Sequence, residues 1–300
     1  MTAQRNLFSL ESLGLYTLTM VAEVPVILSR ALVMFLVVSF WLTLKGIHHY
    51  SFEPWLKLSV IPTLWSVLAL VTPIGNGWWW KQRMGGRDPS ERERQAYKDA
   101  VELLTAHASE PLPLPESWFV VDSPQADAAV CGDTLMLSRG LLETDQVAPV
   151  LAHELGHLAT PDGRVTAALN RLLLWEPREK VKEERVNFVG GWLMMLWPLI
   201  TRFVSTTVAT ARGGFGLYLM GPIWGLYWRT REYKADEYAA ALGQGDELAD
   251  FLEIHALIHD HPVPFIWMTE HSHPPTELRI DRLRKAAHGE EPGSSLQPAG

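Results

Sequence analysis

Val150-Leu151-Ala152-His153-Glu154-Leu155-Gly156-His157-Leu158-Ala159 carries the pattern H-E-x-x-H inside an apolar run. Residues four apart on an α-helix share a face, so His153 and His157 point the same way, at a separation that lets two imidazoles hold one metal ion. Glu154 projects beside them, where it can reach a water without taking up a coordination position. Neutral nitrogen ligands, an open position and a carboxylate base are the parts that a zinc hydrolase needs. Val150, Leu151, Leu155 and Leu158 would bury this helix, and Gly156 between the histidines allows close backbone approach. Pro149 fits only a first turn, which predicts a helix start between Asp145 and Pro149.

A catalytic zinc needs a third protein ligand. Downstream, Arg229 to Ala241 reads as a helix, with Glu232 and Asp236 on one face at i and i+4. Glu232 is the candidate ligand, and Asp236 can receive the N–H of a ligating histidine and fix its tautomer. Taken alone, the stretch is a solvated charged helix whose acids pair with Arg229, Arg231 and Lys234. Beside H-E-x-x-H, the metal reading prevails.

Outside these motifs the composition sets limits. A net charge of −8 argues against a nucleic-acid partner, which calls for basic stripes. The single cysteine, Cys131, excludes an internal disulfide framework. Thirteen Trp and a mean hydropathy near zero, despite 20% charged residues, point to very apolar segments alternating with polar ones. No small-residue cleavage site precedes the first long apolar run, so that run is expected to be retained.

Residues 1–23 read as an N-terminal interfacial segment and 24–80 as a transmembrane hairpin. Its first span, Val24 to Leu44, is about 31 Å long as a helix, enough to cross the hydrocarbon core, with Arg30 snorkelling. The second span, Trp55 to Trp80, contains Pro62 and Pro73, so a kink is expected. Trp78, Trp79 and Trp80 followed by Lys81, Arg83 and Arg87 mark a membrane boundary. A second hairpin is expected over 186–228, from Phe188 to Ala211 and from Gly213 to Trp228. The soluble part divides into 81–185, with the zinc helix, and 229–288, with the third ligand. The Gly-, Pro- and Ser-rich tail 289–300 is expected to be disordered.

Within 81–185, residues 88–107 read as a helix capped by Asp88 with Pro89 in its first turn. Trp118 to Val121 reads as a strand. Ala128 to Cys131 and Thr134 to Leu137, joined by Gly132-Asp133, read as a hairpin. Leu248 to Ile258 reads as a further helix. His255, His259 and His261 invite a second metal cluster, but solvated histidines ahead of Pro262 are the favoured reading.

The two metal motifs together resemble those of the integral-membrane zinc metallopeptidases related to bacterial HtpX and the eukaryotic CAAX prenyl protease, over roughly residues 95–288. That family's E-x-x-x-D motif matches Glu232 and Asp236, as zinc ligand and supporting carboxylate. A C-terminal H-P-x-x-x-x-R pattern recurs as His273-Pro274-Pro275-Thr276-Glu277-Leu278-Arg279. By this resemblance His273 lies near the substrate carbonyl and Arg279 pairs with Asp236. The run Ala128-Ala129-Val130 departs from the family's Asn-Ala-Phe-Ala-like strand but takes its place as the strand that pairs with substrate. The resemblance implies an α+β, mostly helical fold: a zincin-like metallopeptidase domain with a small antiparallel sheet, joined to about four transmembrane helices.

It also implies one Zn²⁺, protein or peptide substrates drawn from membrane proteins, and a role in membrane-protein quality control or processing. Lys and Arg cluster at 81–94, 178–185 and 229–234, whereas the opposite loops offer little beyond Lys45, Lys57 and Arg212. The positive-inside rule then places the site on the cytoplasmic side of a bacterial inner membrane. The alternative is a membrane-anchored binding or regulatory protein with a structural metal and no proteolysis, and a zinc assay separates the two.

Overall fold

The computed structural model describes residues 10–47, 51–72, 76–160, 162–173, 218–255 and 274–288. They fall into two units, one from Thr72–Ala167 and Ile223–Gly300, the other from Leu10–Val71 and Ala168–Pro222.

The first unit is built around a sheet of three strands, β1 (Ser117–Val121), β2 (Ala128–Cys131) and β3 (Thr134–Ser138), in the order β1-β3-β2. The hairpin β2–β3 forms as expected, with Ala128 opposite Leu137 and Cys131 opposite Thr134. Gly132 turns it at φ +63°, which costs glycine nothing. β1 runs parallel to β3, so the expected antiparallel sheet is corrected to a mixed one. The physical reason is burial together with chain direction. Every residue of β3 is buried, so β3 takes the centre, and the chain reversals before and after β2 leave β1 and β3 running the same way. On one face Val120, Leu135 and Leu137 join the main core; on the other Phe119 and Met136 meet Trp80 and Cys131.

The helices of this unit supply the rest of that core. They are α4 (Asn76–Met84), α5 (Glu91–His107), α6 (Arg139–Leu142) and α7 (Val147–Ala159), which carries H-E-x-x-H. The start of α7 falls inside the predicted interval. α8 (Gly163–Leu173) and α9 (Tyr218–Ala241) each begin in one unit and end in the other. α10 (Gly245–His255) and α11 (Thr276–Ala287) pack on each other, and α10 also packs on α7. Leu151 and Leu155 of α7 are fully buried beside Leu104, Leu135, Leu248 and Leu283.

The start of α5 corrects the expected cap. Ser90, not Asp88, is the N-cap, and Ser90 with Glu93 forms a capping box. Glu93 also receives both arms of the Arg87 guanidinium, at 2.8 and 2.7 Å. The Arg87 hydrogen bonds hold the Glu93 carboxyl down to about 2, overriding the opposing effect of burial. A carboxyl depressed in the folded state stabilises above its unfolded pKa, and that contribution is lost as pH falls from about 4.5 towards 2. Glu93→Gln is therefore expected to lower stability by about 1 kcal/mol near neutrality, the usual worth of a helix cap. Thermal melts across pH should show the gap to wild type closing as pH approaches 2.

The second unit holds α1 (Leu10–Leu44), α2 (Glu53–Ser59) and α3 (Ile61–Val71), with the last turns of α8. The separate interfacial helix and first span expected from the sequence are one helix of 35 residues. It is about 52 Å long, well beyond a hydrocarbon core of about 30 Å. α2 and α3 break at Val60, two residues before Pro62, whose missing N–H and bulky ring disrupt the preceding turn. The second expected span ends at Val71, and Trp78–Trp80 belong to the distinct helix α4.

The buried face of α1 mixes apolar Leu15, Tyr16, Val26, Ala31 and Val33 with polar residues, and a second apolar face is exposed. Ser12, Thr19 and Glu23 are buried, while Leu10, Leu18, Val24, Leu28, Leu32, Leu36, Phe40 and Leu44 stand exposed at helical spacing. Inside the unit, the Tyr16 hydroxyl lies 2.9 Å from Ser66 Oγ, and Ser66 donates to the Ala168 carbonyl. The fully buried Arg171 guanidinium sits 4.2 Å from the Trp65 ring centroid. Among the described residues, two helical stretches, Leu10–Leu44 and Glu53–Val71, are long and apolar enough to cross a membrane. The expected span from 188 to 211 and the tail 289–300 lie outside the described residues. Of the segment from 213 to 228, the described part is the start of α9, which runs without a break into the stretch carrying Glu232.

Candidate metal centre

α7 presents His153 and His157 one turn apart, their ring centroids separated by 4.8 Å and their planes nearly perpendicular. α9 brings Glu232 to them from the far side. Glu232 Oε2 lies 3.5 Å from His153 Nε2, and Oε1 lies 3.4 Å from His157 Nε2. One donor atom from each of the three residues falls within 4.8 Å of the others. Two imidazole nitrogens and a carboxylate oxygen, all facing one point, form a donor set that suits a zinc-sized cation. Glu154, beside His153 on the helix, is buried with them.

A shell of charge fixes these side chains. His153 Nδ1 lies 2.9 Å from Asp236 Oδ1, so the ring donates on one side and turns Nε2 toward Glu232. Asp236 in turn receives two hydrogen bonds from Arg279, from Nε at 2.9 Å and Nη2 at 2.7 Å. Arg279 Nη1 also stands 3.3 Å from Glu232 Oε2. The structure thus places Glu232, Asp236 and Arg279, from α9 and α11, against the His153 end of α7. Pro274 and Arg279 are described, whereas His273 lies outside the described residues.

The two imidazoles are pushed in opposite directions. Burial disfavours the charged ring of His153, but its hydrogen bonds to Asp236 and Glu232 outweigh this and raise it to about 10. Burial dominates at His157, with the neighbouring His153 adding to it, and lowers it to about 4 despite Glu232. Burial also opposes the charge on Asp236, yet His153 and Arg279 keep its carboxyl below the ordinary range. The His153 ring thus faces a carboxylate at each nitrogen, Asp236 at Nδ1 and Glu232 at Nε2.

Close helix contact sets the reach of Glu232. A Cβ built on Gly156 would stand 2.7 Å from Ala235 Cα and 3.1 Å from Ala235 O, so the two backbones touch where the metal motifs meet. The sequence flagged Gly156 for close approach, but its partner is visible only in the fold.

Ala128, Ala129 and Val130 lie in β2, half-buried at the sheet edge nearest α7. The other edge is partly taken, because Arg87 and Val120 exchange backbone hydrogen bonds at 2.8 and 3.0 Å. The His255 ring lies 4.5 Å from that of Phe251, tilted by 37°, and His259 and His261 lie outside the described residues. In the sequence, Arg231 figures only as a cation of the 229–234 cluster and of the solvated helix that the metal reading displaced, with no role at the site. Arg231 is buried, and no local signal separates it from the half-buried Arg229 or the exposed Lys234.

A helix-borne histidine pair closed by a carboxylate from a second helix, beside a small sheet, is the plan of the metallopeptidases. The chain belongs to peptidase family M48, whose model matches residues 91–287, from the start of α5 to the end of α11. Protease HtpX of Pseudomonas fluorescens (strain SBW25) is 29% identical over 238 residues, covering 66% of this chain and 73% of that protein. A Protease HtpX homolog of Bifidobacterium longum (strain NCC 2705) is 25% identical over 280 residues, covering 79% and 86%. Among solved structures, S. mikatae Ste24p aligns with 90% of this chain and 66% of its own at 19% identity, with a TM-score of 0.41. The chain is thus a protease of the M48, HtpX-like type.

Proposed function

We propose that this protein is a membrane-embedded zinc endopeptidase that cuts peptide bonds in membrane-protein substrates, in quality control or processing. The observation that carries the reading is the convergence of His153, His157 and Glu232 within 4.8 Å, with Glu154 buried alongside. A zinc ion held by those three residues supplies Lewis acidity and a water of lowered pKa at its open position. Glu154 takes the proton from the attacking water and delivers it to the departing amine. Asp236 and Arg279 hold His153 in the tautomer that offers Nε2. His273, by its place in the H-P-x-x-x-x-R pattern, donates to the developing oxyanion of the substrate carbonyl. Ala128, Ala129 and Val130 pair with an extended substrate by strand addition through their main-chain groups.

The membrane assignment rests on the exposed apolar face of α1 and the two spans of sufficient length. The basic clusters at 81–94 and 229–234 favour a cytoplasmic site at a bacterial inner membrane. The test is metal content and proteolysis of the detergent-purified protein. One zinc per chain, loss of casein cleavage on chelation and recovery on adding zinc are expected. A purified protein that cleaves fully with no metal present would overturn the reading.

A further inference from the structure

Arg231 precedes the candidate ligand Glu232 on α9, yet its side chain points away from solvent, with only 6% of it exposed. Its Nη2 donates to Thr160 Oγ1 at 3.3 Å and its Nη1 to Thr166 Oγ1 at 2.9 Å. The Thr160 hydroxyl, so engaged as acceptor, donates its own hydrogen to the His157 carbonyl at 2.8 Å. Thr166 likewise donates to the Asp162 carbonyl at 3.1 Å. Asp162 Oδ2, itself buried, stands 3.8 Å from Arg231 Nε, and the Trp228 ring centroid lies 5.0 Å from the guanidinium carbon. Thr160 is the C-cap of α7, where the last carbonyls of a helix lack intrahelical partners and favour a cation.

We infer that Arg231 is a positioning residue that sets the spacing between the two halves of the metal centre. The inference rests on the proposed zinc reading. Glu232 comes from α9 and His157 from α7, and the chain Arg231–Thr160–His157 carbonyl connects the residue before one ligand to the backbone of the other. The Gly156–Ala235 contact stops the helices from approaching further, and Arg231 stops them from separating or sliding. Only a planar fork spans both hydroxyls. A lysine ammonium at this position keeps the charge and reaches one of them.

The experiment measures zinc affinity of the full chain in detergent by competition with a chromogenic chelator, together with the visible spectrum of the cobalt-loaded protein. The variants are Arg231→Ala, Arg231→Lys, Thr160→Val and the double variant Arg231→Ala/Thr160→Val. Arg231→Ala is expected to weaken zinc binding about 10- to 100-fold, the usual cost of losing a partner behind a metal ligand. Arg231→Lys should recover part of the loss. The double variant should bind no more weakly than Arg231→Ala within about twofold, because both changes cut one chain. The cobalt spectrum should change in Arg231→Ala, reporting an altered ligand set that a general loss of stability would not produce. Wild-type zinc affinity with an unchanged cobalt spectrum in Arg231→Ala would overturn the inference, as would losses that multiply in the double variant. If Arg231→Ala does not fold, Arg231→Lys and the near-isosteric Thr160→Val decide it by the same two readouts. A wild-type chain that binds no zinc would instead defeat the functional reading on which this one rests.

Discussion

Replacing Glu154 with glutamine is expected to leave one zinc bound per chain and to lower kcat/KM for peptide cleavage by about two to four orders of magnitude. The amide has almost the volume of the carboxylate, so the packed helix interior around Leu151 and Leu155 is undisturbed. It cannot accept a proton from the attacking water, and that is the function assigned to the residue. Glu154 is buried, so glutamine removes a charge from a water-poor site without opening a cavity, unlike alanine. Metal content by mass spectrometry and cleavage of casein separate the two roles. Cleavage at the wild-type rate with zinc in place would mean that another group serves as the base. With cleavage lost and zinc retained, proteomic comparison of membranes carrying wild type or Glu154→Gln identifies substrates as the proteins that accumulate uncut.

Gly156→Ala should lower both melting temperature and zinc affinity, and Gly156→Val should do so more severely. Helix propensity alone predicts the reverse for alanine, a gain of about 1 kcal/mol at an interior helical position. The local contact decides against it. The new Cβ would meet Ala235 Cα at 2.7 Å and Ala235 Cβ at 3.1 Å, and a helix backbone cannot rotate away as a flexible side chain can. Overpacking of this kind costs about 1–3 kcal/mol, more than the propensity gain. The helices must part at residues adjacent to His157 and Asp236, so the 3.4 Å approach of His157 to Glu232 is lost with the packing. Zinc affinity is expected to fall at least about tenfold, on the scale of other disturbances around metal ligands. Chelator competition and thermal melts of the metal-free chain measure the two effects. A Gly156→Ala chain that melts higher and binds zinc normally would show that the helices do not meet here.

Motifs with a fixed local period were legible in the chain. H-E-x-x-H and E-x-x-x-D each put two side chains on one helix face whatever the tertiary fold, and Gly132-Asp133 dictated the β2–β3 hairpin through its own backbone preference. The change of hydropathy at Trp228-Arg229 misled, as did the mixed polarity before Val24, because helical hydrogen bonds run through a change of side-chain polarity. α9 and α1 therefore continue across both points. The cap of α5 was readable from Ser90 and Glu93, but Asp88 and Pro89 offered a competing start.

The amino-acid sequence by itself determined which side chains could bind metal and which helices carry them, since those properties depend on residue type and helical period. Tertiary structure alone decided that β1 lies parallel to β3, that Ala235 is the surface Gly156 meets, and that Arg231 turns inward to Thr160. Each of these depends on contacts between residues far apart in the chain, whose energy no local window contains.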